Sequence, residues 1–577
     1  MDKQRVAEVL EEMAVLLELK DENPFKIRAF QNGARALESL EEDLEKLIEE
    51  NRLTDIKGIG EHLAKTITEL FETERSSEHN RLKKDFPEGV LAMLSIQGLG
   101  PKKVKVLYKK LHLKSIPELE KACHAHKLSK VEGFGKKTEE NILKGISHLK
   151  KNEGKYLFPK AQEEAQKLTD YLSSSSKVKK ISIAGSIRRC KDSIKDIDIV
   201  ISSDHPEKIM KIFTTYPFTD RILAQGETKS SIILQSGINT DLRVVSEKEY
   251  PFALLYFTGS KEHNTALRGL AKDKDMKLNE YGLFKGTKKI PCKTEADIFK
   301  ALGLSYIEPE LRENSGEIEA ARENFLGAKK LPTDLVELKD LKGTFHNHTT
   351  ESDGANTLEQ MVEKAISMGL DYLGISDHSQ AAYYANGLKS DRVKKQWKAI
   401  DQLNTKLKNF RILKGTEVDI LPDGSLDFPD SLLAEFDFVI ASVHSKFRMA
   451  EKEMTQRITK ALKNKYVTMI GHPTGRLLLE REPYPVNLFE VVNVASDYGK
   501  AMELNSHPSR LDIDWTICKF AKSKGVPVSI NPDAHRTSGI EVLKFGVGIA
   551  RKGWLTTKDV LNTRSLKEIE KFLSSYR

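Results

Sequence analysis

Histidines in the carboxyl-terminal part of this 577-residue chain follow the ends of short apolar runs. The seven histidines of the last 240 or so residues all have this position, and the runs end in His346-Asn347-His348, Asp377-His378, Glu417, His444, His472, Asn505-Ser506-His507 and Asp533-Ala534-His535. Each run is typical of a buried β-strand. In a β/α barrel the same ends of successive strands converge, and active sites form there. Imidazoles and carboxylates without a thiolate are typical ligands of divalent metals, so we expect metal-assisted hydrolysis in this segment.

The composition is that of a globular chain with several domains. Charged residues make up 31% and hydrophobic residues 39%, and the length exceeds that of a single core. No apolar run reaches the roughly 18 residues of a membrane span, and the first residues do not begin a signal peptide. The four cysteines stand far apart, at Cys123, Cys190, Cys292 and Cys518. Free thiols are typical of a reducing compartment, so we expect a cytoplasmic protein without membrane contact.

The net charge of +8 is small for this length, but its distribution is uneven. Residues 101–150 hold thirteen lysines against five glutamates, whereas residues 1–50 hold seven basic and fourteen acidic residues. A local basic block is typical of a nucleic-acid contact surface. A solvated, lysine-rich face is the alternative on charge alone.

Residues 1–150 have the apolar spacing of helices, interrupted by three related glycine turns. The turns are Ile56-Lys57-Gly58-Ile59-Gly60, Ile96-Gln97-Gly98-Leu99-Gly100 and Val131-Glu132-Gly133-Phe134-Gly135. Such glycines permit tight turns and leave amide groups free at a helix N-terminus, where a phosphate can bind. A single turn of this kind also closes many helical hairpins. Three of them resemble helix-hairpin-helix motifs, which bind the DNA backbone without reading sequence.

From about residue 155 strands alternate with helices. Asp196-Ile197-Asp198 opens an alternating strand, so the two carboxylates share one face. Adjacent carboxylates repel each other unless a cation lies between them, and Asp241 leads a second apolar strand. Three such carboxylates can form a two-metal site for phosphoryl transfer. Solubilising aspartates on an edge strand are the alternative.

Further motifs stand around these carboxylates in a fixed order. They are Gly185-Ser186-Ile187-Arg188-Arg189, Tyr256-Phe257-Thr258-Gly259-Ser260, Asn264, Arg268 and Asn279-Glu280-Tyr281. In order and register they resemble the family X DNA polymerases, the DNA polymerase beta family, over roughly residues 20–310. The resemblance implies helix-hairpin-helix DNA-binding domains, a nucleotidyltransferase palm of mixed strands and a thumb.

The resemblance implies a role for each matching residue. Asp196 and Asp198 would bind both catalytic metals, Mg²⁺ or Mn²⁺, and Asp241 would bind the metal at the primer 3′-hydroxyl. The residues implied to bind the nucleotide are Gly185, Ser186 and Arg189 at the triphosphate, Tyr256, Phe257 and Gly259 around the sugar, Asn264 at the base edge and Arg268 toward the template. The alternative for Tyr256 and Phe257 is a place in the core.

One position departs from the family pattern. Animal members use a lysine six residues after the second glycine of the first hairpin as a Schiff-base nucleophile. Thr66 occupies that position here, and Lys65 stands beside it. Adjacent helical residues point about 100° apart, so we expect no lyase activity of this type.

The carboxyl-terminal segment resembles the PHP (polymerase and histidinol phosphatase) family. The matching residues are His346, His348, Asp353, His378, Glu417, His444, His472, Asp533 and His535. The resemblance implies a distorted seven-stranded β/α barrel with up to three metals, Mn²⁺, Zn²⁺ or Fe²⁺, and with Glu417 as a bridging ligand. A lone histidine is more often a core or surface residue than a ligand, but nine ordered matches argue against that explanation.

Other polar residues near these strand ends have less specific interpretations. Asp377 is expected to orient His378 rather than to bind metal, and His507 lies outside the family's ligand pattern. Four arginines follow strand ends and suit either phosphate binding or an ordinary loop: Arg448, Arg476, Arg510 and Arg536.

We therefore predict a DNA-directed DNA polymerase that fills short gaps in base excision repair and has a metal-dependent 3′–5′ exonuclease. Removal of 3′-phosphates and incision at abasic sites are further possible activities of the barrel. The expected partners are gapped or nicked DNA and deoxynucleoside triphosphates, bound by a monomer. The expected domains are residues 1–88 and 89–154 (helix-hairpin-helix), 155–250 (palm), 251–312 (thumb), 313–337 (linker) and 338–577 (PHP). A PHP phosphomonoesterase whose N-terminal half only binds DNA is the alternative, and a structural DNA-end-binding protein with two degenerate sites is a third.

Overall fold

The computed structural model describes residues 3–38, 40, 42–96, 98–325 and 331–576. The chain divides into two compact units, Met1–Glu153 and Gly154–Arg577. Among the described residues, no helix is both long enough and apolar enough to cross a membrane.

The first unit is entirely helical. Its helices are α1 Lys3–Lys20, α2 Pro24–Glu38, α3 Leu44–Glu49, α4 Glu61–Thr73, α5 Ser77–Lys84, α6 Glu88–Ala92, α7 Pro101–Leu111, α8 Ile116–His124 and α9 Lys136–Asn152. Their apolar faces form one core that extends from Val6 to Ile146. One apolar stripe of α1, formed by Val6, Val9, Leu10 and Met13, is buried in this core.

Each predicted glycine turn has the same local structure. A 3-10 helix ends just before the turn, at Asp55, Ser95 and Lys130 respectively. The first glycine has a positive φ, at Gly58, Gly98 and Gly133. The second glycine caps the next helix, at Gly60, Gly100 and Gly135. The apolar residue between the two glycines is buried, which anchors the turn to the core.

The second unit begins with a mixed sheet and its helices, which form the palm. The elements are β1 Tyr156–Leu157, α10 Phe158–Ser173, β2 Lys180–Ile183, α11 Gly185–Arg188, β3 Ser193–Ile194, β4 Asp196–Ser202, α12 Pro206–Thr214, β5 Thr219–Gln225, β6 Lys229–Leu234 and β7 Asn239–Val245. The main sheet has the order β2-β4-β7-β6-β5. Its central strands β4 and β7 are parallel, which aligns their first residues at one edge.

The thumb follows as a helical layer with a three-stranded meander. The elements are α13 Tyr250–Thr258, α14 Lys261–Lys272, β8 Met276–Asn279, β9 Gly282–Lys285, β10 Lys288–Ile290, α15 Glu295–Ala301 and α16 Glu317–Phe325. Helix α16 lies inside the segment expected to be a linker, of which residues 326–330 lie outside the described residues. Glu317 of this helix pairs with His263, and both side chains are fully buried.

The rest of the unit is a β/α barrel. The elements are β11 Gly343–Thr344, α17 Leu358–Ser367, β12 Tyr372–Ile375, α18 Ser390–Asn404, β13 Arg411–Asp419, α19 Asp430–Leu433, β14 Phe438–Ser442, α20 Glu451–Leu462, β15 Met469–Ile470, α21 Leu488–Asp497, β16 Ala501–Asn505, α22 Trp515–Ser523, β17 Val528–Asn531, α23 Leu543–Lys552 and α24 Leu566–Ser574. The strands pair in parallel and in chain order. A parallel bridge between Asn347 and Ala534 brings the first strand beside the last and nearly closes the barrel.

The predicted fold class is confirmed: a helical N-terminal part, a mixed palm with a thumb, and a distorted barrel of seven parallel strands. Each of the seven apolar runs in the carboxyl-terminal part forms one barrel strand, so the polar residues that follow them meet at one end of the barrel.

Candidate active sites

Three aspartates lie together near the first residues of β4 and β7, at one end of these inner strands of the palm sheet. Asp196 and Asp198 lie on β4, with Ile197 between them buried on the other face. Asp198 pairs in register with Asp241 on β7. Ser231 on β6 donates a hydrogen bond to Asp241 at 2.5 Å, which fixes that carboxylate. The parallel pairing of β4 and β7 therefore produces the predicted carboxylate cluster.

These carboxylates destabilise one another's charges. Burial, followed by the negative charges of Asp196 and Asp241, raises the pKa of Asp198 to about 7. Burial and the charge of Asp241 also raise the pKa of Asp196. A divalent cation between these groups would remove the repulsion, so the donor set fits a metal site. Gly185 packs against this cluster, and a Cβ atom there would lie 2.1 Å from Asp198 Oδ2.

Two of the predicted nucleotide-binding residues, Tyr256 and Phe257, line different cavities. Tyr256 lines one cavity together with Asn264 and Arg268, and Asn264 donates to the carbonyl of Tyr256 at 2.7 Å. Phe257 lines another cavity and lies under the guanidinium of Arg243, 5.2 Å from its ring centre. Tyr256 and Phe257 therefore line different cavities, although their ring centres lie 5.2 Å apart. Their place around one sugar stays a prediction.

A buried ion network supports the palm and was not predicted. Arg188 donates to Glu295 at 2.6 Å and to the hydroxyl of Thr258 at 2.6 Å. Glu295 also accepts from the fully buried Arg312 at 2.6 Å, and the carbonyl of Arg312 accepts from the amide of Ser260. The network holds both ends of the Thr258-Gly259-Ser260 turn. The partners of Arg188 lie 70 and 107 residues away along the chain, so no local motif indicates them.

A second cluster lies at the carboxyl ends of the barrel strands. It brings together all nine predicted residues in four overlapping groups of possible metal ligands: His348, Asp353, His378 and His535; His346, Glu417 and His472; His346, His348 and Asp533; His378, Glu417 and His444. Within each group the ligand atoms lie within 4.8 Å of one another. Glu417 belongs to two groups, with one oxygen 2.8 Å from His472 Nε2 and the other 2.9 Å from His378 Nδ1.

Two histidines of the cluster, His346 and His348, have the spacing of metal ligands rather than that of hydrogen-bond partners. The Nε2 atoms of His346 and His348 lie 3.3–3.6 Å from oxygens of Glu417 and Asp533. Two ligands of one tetrahedral ion, each bound at about 2.1 Å, lie roughly 3.4 Å apart. Both of these Nε2 atoms and Glu417 Oε2 are buried without a hydrogen-bond partner among the described residues. Buried polar atoms without a partner are costly, and a metal ion would satisfy them.

Buried carboxylates orient the histidines of this cluster. Glu503 on β16 lies 2.7 Å from His346 Nδ1, which leaves Nε2 facing the cluster. Asp419 lies 3.3 Å from His444 Nδ1 in the same manner. Such partners set the tautomer and the ring orientation of metal-binding histidines. Neither residue was predicted, although an acidic residue inside an apolar strand is a usable signal.

Asp377 has a different place from the one expected. Its carboxylate accepts hydrogen bonds from Thr349, Ser352 and Gln396, and none of its bonds within the described chain goes to His378. The side chain lies where it fixes the loop that follows β11, so it does not orient His378. His507 lies outside the four ligand groups and contacts Ser509.

The four arginines that follow barrel strands differ in their contacts. Arg476 donates to the main-chain oxygens of Arg510 and Leu511, which is a structural role. Arg510 lies at the cluster, 3.4 Å from Asp533 Oδ2. Arg448 and Arg536 are exposed.

The glycine turns of the first unit present an open backbone. A Cβ atom added at Gly60, Gly100 or Gly135 would meet nothing within 4 Å. The space beside each helix N-terminus is therefore free for an incoming group. Thr66 is buried on α4 and donates to the carbonyl of His62 at 3.1 Å, so it offers no nucleophile at this position.

Comparisons with known proteins agree with this architecture. Family models match residues 1–76 (helix-hairpin-helix domain), 90–147 (SAM-like helix-hairpin-helix tandem), 253–313 (DNA polymerase beta thumb) and 344–507 (PHP domain). The DNA polymerase/3′-5′ exonuclease PolX of Bacillus subtilis (strain 168) is 40% identical over 99% of this chain and 99% of its own length. The chain belongs to the family X DNA polymerases that carry a PHP domain.

Other relatives of this family X chain match one part of it. DNA polymerase lambda of Rattus norvegicus is 25% identical over 53% of the chain and 56% of its own length. A probable phosphatase of Thermoanaerobacter sp. (strain X514) is 30% identical over 38% of the chain and 89% of its own length. Both the polymerase and the PHP parts of this family are metal-dependent, in agreement with the two clusters of ligand-type residues.

Proposed function

We propose that this protein extends DNA 3′ ends with deoxynucleoside triphosphates and removes nucleotides from 3′ ends at its PHP site. The observation that supports the proposal is the presence of two separate metal-type clusters in one compact unit, one of aspartates and one of imidazoles with carboxylates. The relative that matches the full length is named for both activities.

At the palm edge, Asp196 and Asp198 bind two ions, Mg²⁺ or Mn²⁺, and Asp241 binds the ion at the primer 3′-hydroxyl. Such an ion pair stabilises the attacking and the leaving oxygen of phosphoryl transfer. The residues proposed to hold the nucleotide are Gly185, Ser186, Arg189, Tyr256, Phe257, Gly259, Asn264 and Arg268. Arg189 supports this proposal because it lies within electrostatic reach of Asp196 and Asp198.

At the barrel end, the nine clustered residues hold up to three ions of Mn²⁺, Zn²⁺ or Fe²⁺. Imidazole and carboxylate ligands suit each of these metals. Bound metals supply a water of lowered pKa and polarise a phosphoryl oxygen. Arg510, beside Asp533, is placed to hold the phosphate of the substrate.

The biological role that fits these activities is the filling of short gaps in base excision repair, by a monomer acting on gapped or nicked DNA. The glycine turns at Gly58, Gly60, Gly98, Gly100, Gly133 and Gly135 would bind the DNA backbone, and 3′-phosphatase and abasic-site incision would accompany the exonuclease. We propose the domain limits 1–88, 89–154, 155–250, 251–312, 313–337 and 338–577 for these parts.

A second candidate is a phosphomonoesterase whose N-terminal half only binds DNA. Relatives named as probable phosphatases match 38% and 40% of this chain and support this alternative. A phosphomonoesterase would make no use of the aspartate cluster in the palm, so we favour the polymerase.

A primer-extension and primer-degradation assay on gapped DNA separates these functions. The full-length protein is assayed with and without nucleotides, in Mg²⁺ and in Mn²⁺. Asp198→Ala should lower synthesis by at least about a hundredfold, because one metal ligand is lost, and should spare degradation. His346→Ala with His348→Ala should abolish degradation and spare synthesis.

The two variants serve as controls for each other, since each must retain the other's activity. Synthesis that persists in Asp198→Ala would contradict the polymerase site. Loss of both activities in either variant would indicate misfolding or a shared site. Release of phosphate from small phosphomonoesters, without synthesis by the wild-type protein, would favour the second candidate.

A further inference from the structure

We propose that the PHP barrel positions Arg189 and keeps its positive charge from being neutralised by Glu313, and thereby takes part in binding the incoming nucleoside triphosphate at the palm. Lys552 of the barrel and Glu313 beyond the thumb transmit this effect. The inference rests on the polymerase function proposed above and assigns a positioning role to two residues outside the motifs of the palm.

Arg189, Glu313 and Lys552 form one chain of contacts. Arg189 Nε donates to Glu313 Oε1 at 3.1 Å, and Lys552 Nζ donates to the same oxygen. Lys552 Nζ also donates to the main-chain oxygen of Arg189 at 3.1 Å. The ammonium group at the end of α23 therefore holds both the backbone of Arg189 and the carboxylate that binds its side chain.

Burial makes this trio sensitive to each of its charges. The exposed fractions of the side chains of Arg189, Glu313 and Lys552 are 10%, 14% and 3%. Burial raises the pKa of Glu313, but the charges of Lys552 and Arg189 outweigh it and the pKa is lowered. Burial lowers the pKa of Lys552, and the charge of Glu313 opposes that shift. With the three groups ionised, the trio carries a net charge of +1. Without Lys552, Glu313 would pair with Arg189 alone and cancel its charge.

The Nη2 group of Arg189 is suited to a phosphate. Nε donates to Glu313 and Nη1 to the carbonyl of Thr258, and Nη2 donates no hydrogen bond to any described residue. A guanidinium held at two nitrogens, with the third free, can bind an anion with little loss of conformational freedom. Its electrostatic attraction for the triphosphate depends on the positive charge that Lys552 preserves.

The neighbouring Arg551 provides a matched comparison. It lies on the same helix and at the same interface, where it donates to Glu310 at 2.7 Å and lies 3.9 Å from Glu308. It contacts neither Arg189 nor Glu313 within the described chain. A purely structural role of the interface would make Arg551 and Lys552 equivalent, whereas the proposed role makes them different.

The test measures KM and kcat for single-nucleotide incorporation on gapped DNA with the full-length protein. Lys552→Met keeps the length of the side chain, and the ring of Trp515, 5.6 Å from Lys552 Nζ, offers it an apolar neighbour. We expect this variant to raise the KM for the nucleotide about tenfold, as for one lost charge interaction. The kcat, the KM for DNA and the degradation of 3′ ends should be close to those of the wild type.

Two further variants and a double-mutant cycle complete the test. Lys552→Arg should restore the wild-type KM because it retains the charge, and Arg551→Met should leave the KM unchanged. Arg189→Met should raise the KM by itself, and adding Lys552→Met should raise it no further, because both changes remove the same interaction.

Three results would overturn the inference: an unchanged KM in a Lys552→Met protein that still degrades DNA, an equal increase in Arg551→Met, or fully additive effects in the cycle. Absence of nucleotide incorporation by the wild-type protein would instead refute the polymerase assignment, and the inference with it.

Discussion

At the scale of single residues, Glu503 is the group on which the geometry of the barrel cluster most depends. Its Oε2 atom faces the Nδ1 atom of His346 and accepts from the side chain of Asn531 at 3.1 Å. Its Oε1 atom accepts from the amide of His472 at 3.0 Å and from the side chain of Asn505 at 2.9 Å. Both oxygens thus act as acceptors, a role that an amide cannot fill on both sides.

We therefore expect Glu503→Gln to weaken metal binding at the barrel. The amide nitrogen would face a donor on whichever side it lies, and His346 would lose its orientation. Loss of such a partner lowers metal affinity or activity about 10- to 100-fold. Metal content after dialysis against a chelator, together with the rate of 3′-end degradation, measures the effect, and synthesis should persist.

Glu490→Gln is the matched control, since Glu490 is exposed on α21. It should retain both metal and degradation. A Glu503→Gln protein with full metal content and full degradation would show that the carboxylate has no part in ordering the ligands.

Contacts between residues far apart in the sequence could be predicted only where both partners stand at strand ends. Eight of the nine clustered residues stand at or just after strand ends, so their neighbourhood could be inferred from the fold, whereas Asp353 lies in the loop after β11 and was predicted from the family resemblance alone. Glu503 lies inside the apolar run Ala501–Asn505, and its partners become apparent only when the barrel forms. Glu313 and Lys552 lie 239 residues apart in the sequence, and no motif links them.

At the scale of elements, the helix-hairpin-helix turns show which part of a motif the protein itself requires. The first glycine has a positive φ, +81° at Gly98 and +86° at Gly133, which other residues rarely adopt. The second glycine has an ordinary φ of −76° at Gly100 and −87° at Gly135, so the backbone does not require glycine there. An incoming phosphate backbone does provide a reason for the missing side chain.

We expect Gly100→Ala combined with Gly135→Ala to weaken DNA binding about thirtyfold without destabilising the first unit. The added methyl groups would occupy the open space beside two helix N-termini, and each lost hydrogen bond to phosphate costs roughly 1 kcal/mol. The lower chain entropy with alanine and its poorer capping roughly cancel. DNA titration and thermal unfolding measure the two effects.

Ser115→Ala should show the opposite pattern. Its hydroxyl accepts from the amide of Glu118 and caps α8, so its removal should cost about 1 kcal/mol of stability. It lies outside the glycine turns, and DNA affinity should not change. Unaltered DNA binding in the double glycine variant would argue against phosphate contacts at these turns.

The elements themselves were largely predictable, and their boundaries less so. Glycine turns and apolar runs indicated the helical hairpins and the seven barrel strands, because local backbone needs and strand burial leave clear patterns. The segment around α16 carried no such pattern, since its buried Glu317 and Arg312 look like surface residues until His263 and Glu295 are in place.

At the scale of the whole molecule, the hydrophobic cores define what can be removed. One core belongs entirely to residues 1–153. Another extends without interruption from Phe158 in the palm to Val560 in the barrel. The rings of Phe158 and Phe545 pack edge to face, 5.9 Å apart, where these two parts meet. Palm and barrel therefore depend on each other for burial, whereas the helical unit supplies its own.

We expect a fragment of residues 154–577 to remain folded and to degrade the 3′ ends of short oligonucleotides at the rate of the full chain. Its affinity for gapped DNA should fall, and the dependence of binding on salt should become weaker, because the lysine-rich segment 101–150 and the glycine turns are absent.

A fragment of residues 1–337 should instead unfold at a lower temperature or aggregate, since removal of the barrel exposes the apolar surface around Phe158. Thermal unfolding, salt-dependent DNA titration and a degradation assay compare the two fragments with the full chain. A palm in residues 1–337 that unfolds at the same temperature as in the full chain would contradict the shared core. Loss of degradation by residues 154–577 would mean that the barrel site requires the helical unit.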